Sequence, residues 1–146
     1  MKTPLPERIY IEKNDLMRYR VLREKLGKNV LNVDVFSLAM VYGYMNNLRI
    51  PLKRKEGLFR TISARDNFYS LVTLLYINEK DEFPKNFNDL SEAVIIAQEY
   101  ANGGLKLLEE KVYTDEYDFS NKLSSIILKF NFENDFSEVF KELKME

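Results

Sequence analysis

There is no cysteine and no histidine anywhere in the chain of 146 residues. The first absence excludes a disulfide, a thiol nucleophile, an iron–sulfur cluster and any zinc site built on thiolates. The second removes the commonest general base, the Ser-His-Asp triad and the histidine zinc sites. Only carboxylate metal sites stay open, and these suit Mg²⁺, Mn²⁺ or Ca²⁺. No apolar run approaches the ~18 residues of a membrane span. The start, "MKTPLPERIYIEK", lacks the apolar stretch of a signal peptide, so a cytoplasmic protein is expected. Glycine and proline are scarce, five and four residues, which tilts the expectation towards helix.

What is present is apolar and charged in ordinary proportion, 45% and 31%, as in a folded domain. The length fits one domain with a core of its own. The net charge of −1 is a cancellation. Residues 1–65 carry 14 Lys and Arg against 6 Asp and Glu, a net of +8; residues 66–146 carry 8 against 17, a net of −9. Such asymmetry between halves is a signal of partners.

Along the chain, "RIYIE" (8–12) alternates, with Ile9 and Ile11 on one face and Arg8, Tyr10 and Glu12 on the other: a short strand. Asn14 or Asp15 can cap a helix ending at Leu26, before Gly27. Leu16, Tyr19, Leu22 and Leu26 share one side of it. A second helix, capped by Asn32 or Asp34, reads "VDVFSLAMVYGYM" and is apolar nearly all round, so it belongs at the centre of the core. Gly43 within it marks a close helix–helix approach. Residues 46–60 are the longest loop or ribbon. Ser63 and Asp66 resemble a capping box for a third helix to Glu79. Asn88 or Asp89 starts a fourth, which Asn102-Gly103-Gly104 ends or interrupts, the segment serving as a cap or as tight packing against the Gly43 helix. Ser120 and Asn134 or Asp135 head two further helical segments.

The basic first half holds the candidate binding residues. Arg18, Arg20, Arg23 and Lys25 lie on the first helix, and Arg49, Lys53, Arg54 and Lys55 lie in the long loop. Lys and Arg gathered on one surface neutralise phosphates and supply most non-specific nucleic-acid affinity. A solvated basic face, or pairing with the acidic second half, would give the same pattern. The order strand–helix–turn–helix over 8–46 resembles ribbon-helix-helix DNA binders, in which strands of two chains pair and outward side chains enter the major groove. Arg8, Tyr10 and Glu12 would be that outward set; the alternative is a strand closing a small sheet. Most of the ten Phe and nine Tyr stand at core spacing, with Tyr10, Tyr19 and Tyr44 placed near cations where they could stack on bases. The carboxylates of 113–118 lack the glycine and terminal glutamate of a calcium loop, and no phosphate-binding glycine motif is present.

Four stretches, "RIYIEK", "VFSLAMVYGYMNNLRIPL" (35–52), "RDNFYSLVTLLYI" (65–77) and "EYANGGLKLL" (99–108), together resemble the DNA phosphorothioation-associated protein 4 family. The matching positions are Arg8-Ile9, then Phe36, Ala39 and Gly43 leading into Arg49, Pro51 and Leu52, then Glu99 through Leu105. The resemblance covers about residues 8–110, and the tail beyond 115 looks like an extension. It implies an accessory of systems that place sulfur in the DNA backbone or restrict DNA lacking it, and it carries over no catalytic residues.

The expectation is therefore a mainly α, compact helical domain with a short N-terminal β-strand. Residues 1–113 form its body, and 114–146 a C-terminal helical extension packed on it. The function expected is a non-catalytic accessory of a DNA-modification or restriction (antiphage) defence system. It binds DNA, or a DNA-bound protein of the same system, through Arg8, Tyr10, Arg18, Arg20, Arg23, Lys25, Arg49, Lys53, Arg54 and Lys55. No cofactor, metal or membrane is involved. The alternative is a protein adaptor or self-assembling homo-oligomer that uses opposite basic and acidic faces. A carboxylate-dependent nuclease is a third, minor reading.

Overall fold

The computed structural model describes residues 6–64 and 66–112. The chain divides into two units, Met1–Leu108 and Glu109–Glu146, and the packing described is that of the first. The two helical segments expected near 120–130 and 134–146, and the carboxylates of 113–118, lie outside the described residues.

The elements run β1 (Arg8–Glu12), α1 (Leu16–Leu26), α2 (Asn32–Met45), β2 (Lys55–Arg60), α3 (Asp66–Lys80) and α4 (Phe87–Val112), with one 3₁₀ turn before α1 and another before α3. The protein is mainly helical with a small antiparallel sheet of β1 and β2. The strand and the four helices expected from hydrophobic spacing are all present. β2 decides between the loop and the ribbon expected of 46–60: the last six of those residues pair as a ribbon. "KEGLFR" has neither β-branched residues nor clean alternation, so only its pairing with β1 makes it a strand.

The central helix is α2, as its apolar circumference requires. Val35, Phe36, Ala39 and Met40 have no exposed surface. Burying each large side chain of this kind stabilises the fold by about 1.5–3 kcal/mol relative to leaving it exposed. Phe36, Phe59 and Phe68 meet with ring centroids 5.6–5.8 Å apart, and this cluster ties α2 to β2 and α3.

Several helix ends differ from the caps expected. Asp15 does not cap α1; its buried carboxylate accepts from Arg18 Nη1 at 2.6 Å instead. Leu31 holds the cap position of α2, and Asp34 accepts the Leu31 N–H at 2.8 Å. Asn32 is thereby left to bridge, accepting from Arg23 (2.9 Å) and donating to the Leu58 carbonyl (3.3 Å). Asn86, not Asn88 or Asp89, caps α4 by accepting the Asp89 N–H at 2.9 Å. Gly27 stops α1 as expected, at φ 144°, a conformation open to a residue without a β-carbon. Asn47 (φ 53°) ends α2 in a left-handed turn. There the Leu48 N–H bonds the Gly43 carbonyl (2.9 Å) and the Asn47 N–H bonds that of Tyr44 (3.1 Å).

At Asn102-Gly103-Gly104 the expected break is corrected, and the expected tight packing against the Gly43 helix is present. The segment neither ends nor interrupts α4, which runs through it unbroken. A β-carbon on Gly104 would strike the Ala39 carbonyl oxygen, and one on Gly43 the Tyr100 carbonyl oxygen. The two glycines let α2 and α4 cross backbone to backbone. Gly43 thus serves the close approach expected of it.

Candidate functional site

Two charged regions stand out, and they differ in kind. In the first, the charges are paired within the chain. The residues 48–51 that follow α2 are seated on α4 by successive residues of "EYANGGL". Glu99 accepts from Arg49 Nε at 2.7 Å, and its backbone carbonyl takes the Ile50 N–H at 3.0 Å. Asn102, buried, donates to the carbonyls of Ile50 (3.1 Å) and Pro51 (3.4 Å) while accepting from Lys106 (2.7 Å). Gly103 leaves room for the Leu48 carbonyl, which a β-carbon would strike. Arg49 also bonds Glu79 at 3.2 Å, and the Tyr100 hydroxyl donates to the same carboxylate. Burial and this hydrogen bond push the Tyr100 hydroxyl up to about 12. Burial works against the charge on Arg49, but its bond to Glu99 and the two nearby carboxylates more than offset it and hold the guanidinium protonated. Arg49, exposed and one of the expected phosphate ligands, therefore already has two counter-charges in its own chain.

The second region is the outer face of the β1–β2 ribbon. Alternation on β1 buries Ile9 and Ile11 and leaves Arg8 exposed with Tyr10 and Glu12 half-buried. The register sets Arg8 opposite Arg60, Tyr10 opposite Gly57 and Glu12 opposite Lys55, with a bulge between Ile9 and Tyr10. Arg60, Lys53, Arg54 and Lys55 are all exposed. Glu12 fixes the far end: its carboxylate accepts the backbone N–H groups of Lys53 (3.1 Å) and Arg54 (2.8 Å). Those bonds, Arg54 foremost, hold the Glu12 carboxyl below the usual carboxylate range. Lys13 N–H closes the turn on the Arg54 carbonyl at 2.8 Å.

The other edge of β1 is covered: Tyr10 N–H donates to the buried Gln98 side chain of α4 at 2.8 Å. The strand thus closes a small sheet within its own chain. Its strand partner is β2 of the same chain, the alternative to the two-chain ribbon-helix-helix pairing.

The remaining expected residues are dispersed along α1. Arg20 and Lys25 are exposed, Arg18 pairs with Asp15, and Arg23 is half-buried in its bond to Asn32. Of the tyrosines considered for stacking, Tyr19 is fully buried beside Asp15, and burial raises its hydroxyl far above the usual range. Tyr44 packs edge-on against Tyr100 at 5.6 Å. Tyr10 alone of the three stands on the cationic face. Arg60 is not among the residues that sequence singles out. Its signal is its place opposite Arg8, which needs the strand register.

Among the described residues no group of three or more acidic side chains is gathered in a way that could hold a metal ion, and no helix is long and apolar enough to cross a membrane. Fold and surface together define a small helical domain that carries a cationic β-ribbon anchored on its longest helix. The chain belongs to the DNA sulphur modification system-associated protein 4 family, whose model matches residues 8–145. The match takes in the residues beyond 115, so these are family sequence and not an extension to it. It ties the chain to a DNA sulphur modification system. No curated protein and no solved structure matches it.

Proposed function

We propose that this protein is a non-catalytic accessory of its DNA sulphur modification system, and that it holds DNA through the exposed cations of its first half. The observation that carries this reading is electrostatic. Arg8, Arg20, Lys53, Arg54, Lys55 and Arg60 are exposed and form no ion pair among the described residues, whereas Arg49, also exposed, is paired with Glu79 and Glu99. Cations that the fold does not consume are what phosphate binding requires. The family's association with DNA modification supplies a partner of the matching charge.

Anisotropy of a labelled DNA duplex, titrated between about 50 and 200 mM salt, tests the reading. Expected is a linear fall of log K with log salt, about −0.9 per phosphate neutralised. No binding at low salt to duplex, nicked or single-stranded DNA would sink it.

A second reading rests on the opposite charge of the two halves, +8 and −9, with Asp81 and Glu82 exposed between α3 and α4. Basic and acidic faces of neighbouring copies, or of a partner protein, would then meet head to tail. Oligomers that dissolve with salt in light scattering, without DNA, would favour it over DNA binding.

A further inference from the structure

We infer that the β-ribbon is a two-ended clamp for duplex DNA, its two cationic ends meeting phosphates on opposite strands. This deepens the proposed function and rests on it. Like charges directly opposite across a strand pair are unfavourable. Arg8 and Arg60 are such a pair, both exposed, with no ion pair to either among the described residues. Neither charge is matched within the described residues, and Arg8 reaches across Gly57, so both are left for phosphates.

The second cationic end, Lys53, Arg54 and Lys55, is held in place by the Glu12 carboxylate on two successive backbone N–H groups. The bonds use backbone N–H groups, and the three side chains are exposed. Arg8 and Glu12 stand four residues apart on β1, about 13 Å at the rise of a strand. That span is of the order of a B-DNA groove width, and a two-stranded ribbon is an element the ~12 Å major groove admits.

The centre of the face suits a groove floor. Gly57 brings no side chain, and Tyr10 opposite it is half-buried. Arg8 lies across Gly57, its Cδ 2.7 Å from where a β-carbon would stand, so its stem is laid flat along the ribbon. The platform is anchored beneath by the Tyr10–Gln98 bond and by the aromatic cluster around Phe59. A duplex presents phosphates on both walls of a groove at once, so it engages both ends while the face of the ribbon lies in the groove.

The test compares a labelled duplex with a single strand of equal length across the same salt range. The proteins are the full chain, a variant at one end (Arg8→Gln with Arg60→Gln) and a variant at the other (Lys53→Gln with Arg54→Gln), each checked for an unchanged melting temperature. Expected is tighter binding of duplex than single strand, and a duplex slope lowered by about 1.8 in each variant, two phosphates' worth. Equal affinity for the single strand, or equal loss on both substrates, overturns the clamp. So does DNA binding with an unchanged slope in both variants, which would place the interface on α1 and leave the proposed function standing. Absence of DNA binding by the parent chain would overturn both.

Discussion

At Gly104 the absence of a side chain decides whether α2 and α4 can touch. A β-carbon there meets the Ala39 carbonyl oxygen and comes within 2.7 Å of the Gly43 nitrogen. Both are main-chain atoms of a packed helix and cannot swing aside. Overpacking a well-filled site costs about 1–3 kcal/mol, more when backbone must move. Gly104→Ala is expected at or above the top of that range, read as a fall in the urea midpoint. Gly57 is the contrast: the nearest atom to its β-carbon would be Arg8 Cδ, part of a flexible exposed side chain. Gly57→Ala is expected within about 1 kcal/mol of the parent, since the gain in strand propensity offsets a displaced rotamer. Similar costs for the two would mean the glycines of α4 are not there for close approach.

Between elements, the Tyr100 hydroxyl on Glu79 links α4 to α3, and its titration makes the link visible. Its value is pushed up to about 12, above the ordinary tyrosine value near 10, by burial and then by the bond to Glu79. The neutral form is the one the fold favours. The stability it contributes is fully present below pH 10 and is lost as pH rises from 10 towards 12. Tyr44, Tyr69 and Tyr76 are raised in the same direction by burial, so the parent weakens there in any case. Tyr100→Phe is expected to lose stability at pH 8 but to fall less steeply between pH 10 and 12, followed by urea unfolding at each pH. Parallel curves would show that Tyr100 is not part of that alkaline loss. The same seat explains why "EYANGGL" does not read as a helix interior. Asn and Gly have poor helix propensity, and the helix persists because residues along the run make tertiary contacts: an ion pair, a hydroxyl bond, a buried amide, two close approaches.

Over the whole molecule, charge falls into two parts that composition could not separate. Arg49 belongs to a network with Glu79 and Glu99, and the ribbon cations do not. Arg49→Gln is expected to lower stability by about 1 kcal/mol, a modest figure because the guanidinium is 39% exposed and water screens it. It is expected to leave DNA affinity and salt slope unchanged in the anisotropy titration. A slope lowered by about 0.9 would return Arg49 to the interface. The first strand, α1 with its Gly27 stop, the central place of α2 and the helices of 66–112 were legible from periodicity and turn residues alone. The chain partner of that first strand was not, nor were the cap residues, whose side chains had competing tertiary bonds to make.

Sequence by itself determined the helical class, the exclusion of thiol and imidazole chemistry, the position of the core helix and the sign of each half. These are local or compositional quantities: spacing, propensity and counts act without knowledge of distant neighbours. Tertiary structure alone decided that Arg60 stands opposite Arg8, that Glu12 fixes the Lys53–Arg54 turn, that Arg49 pairs with Glu79 and Glu99, and which of cap or close packing the glycines of α4 serve. Each of those joins residues 30 or more positions apart in the chain, or turns on a register that one residue's slip would invert.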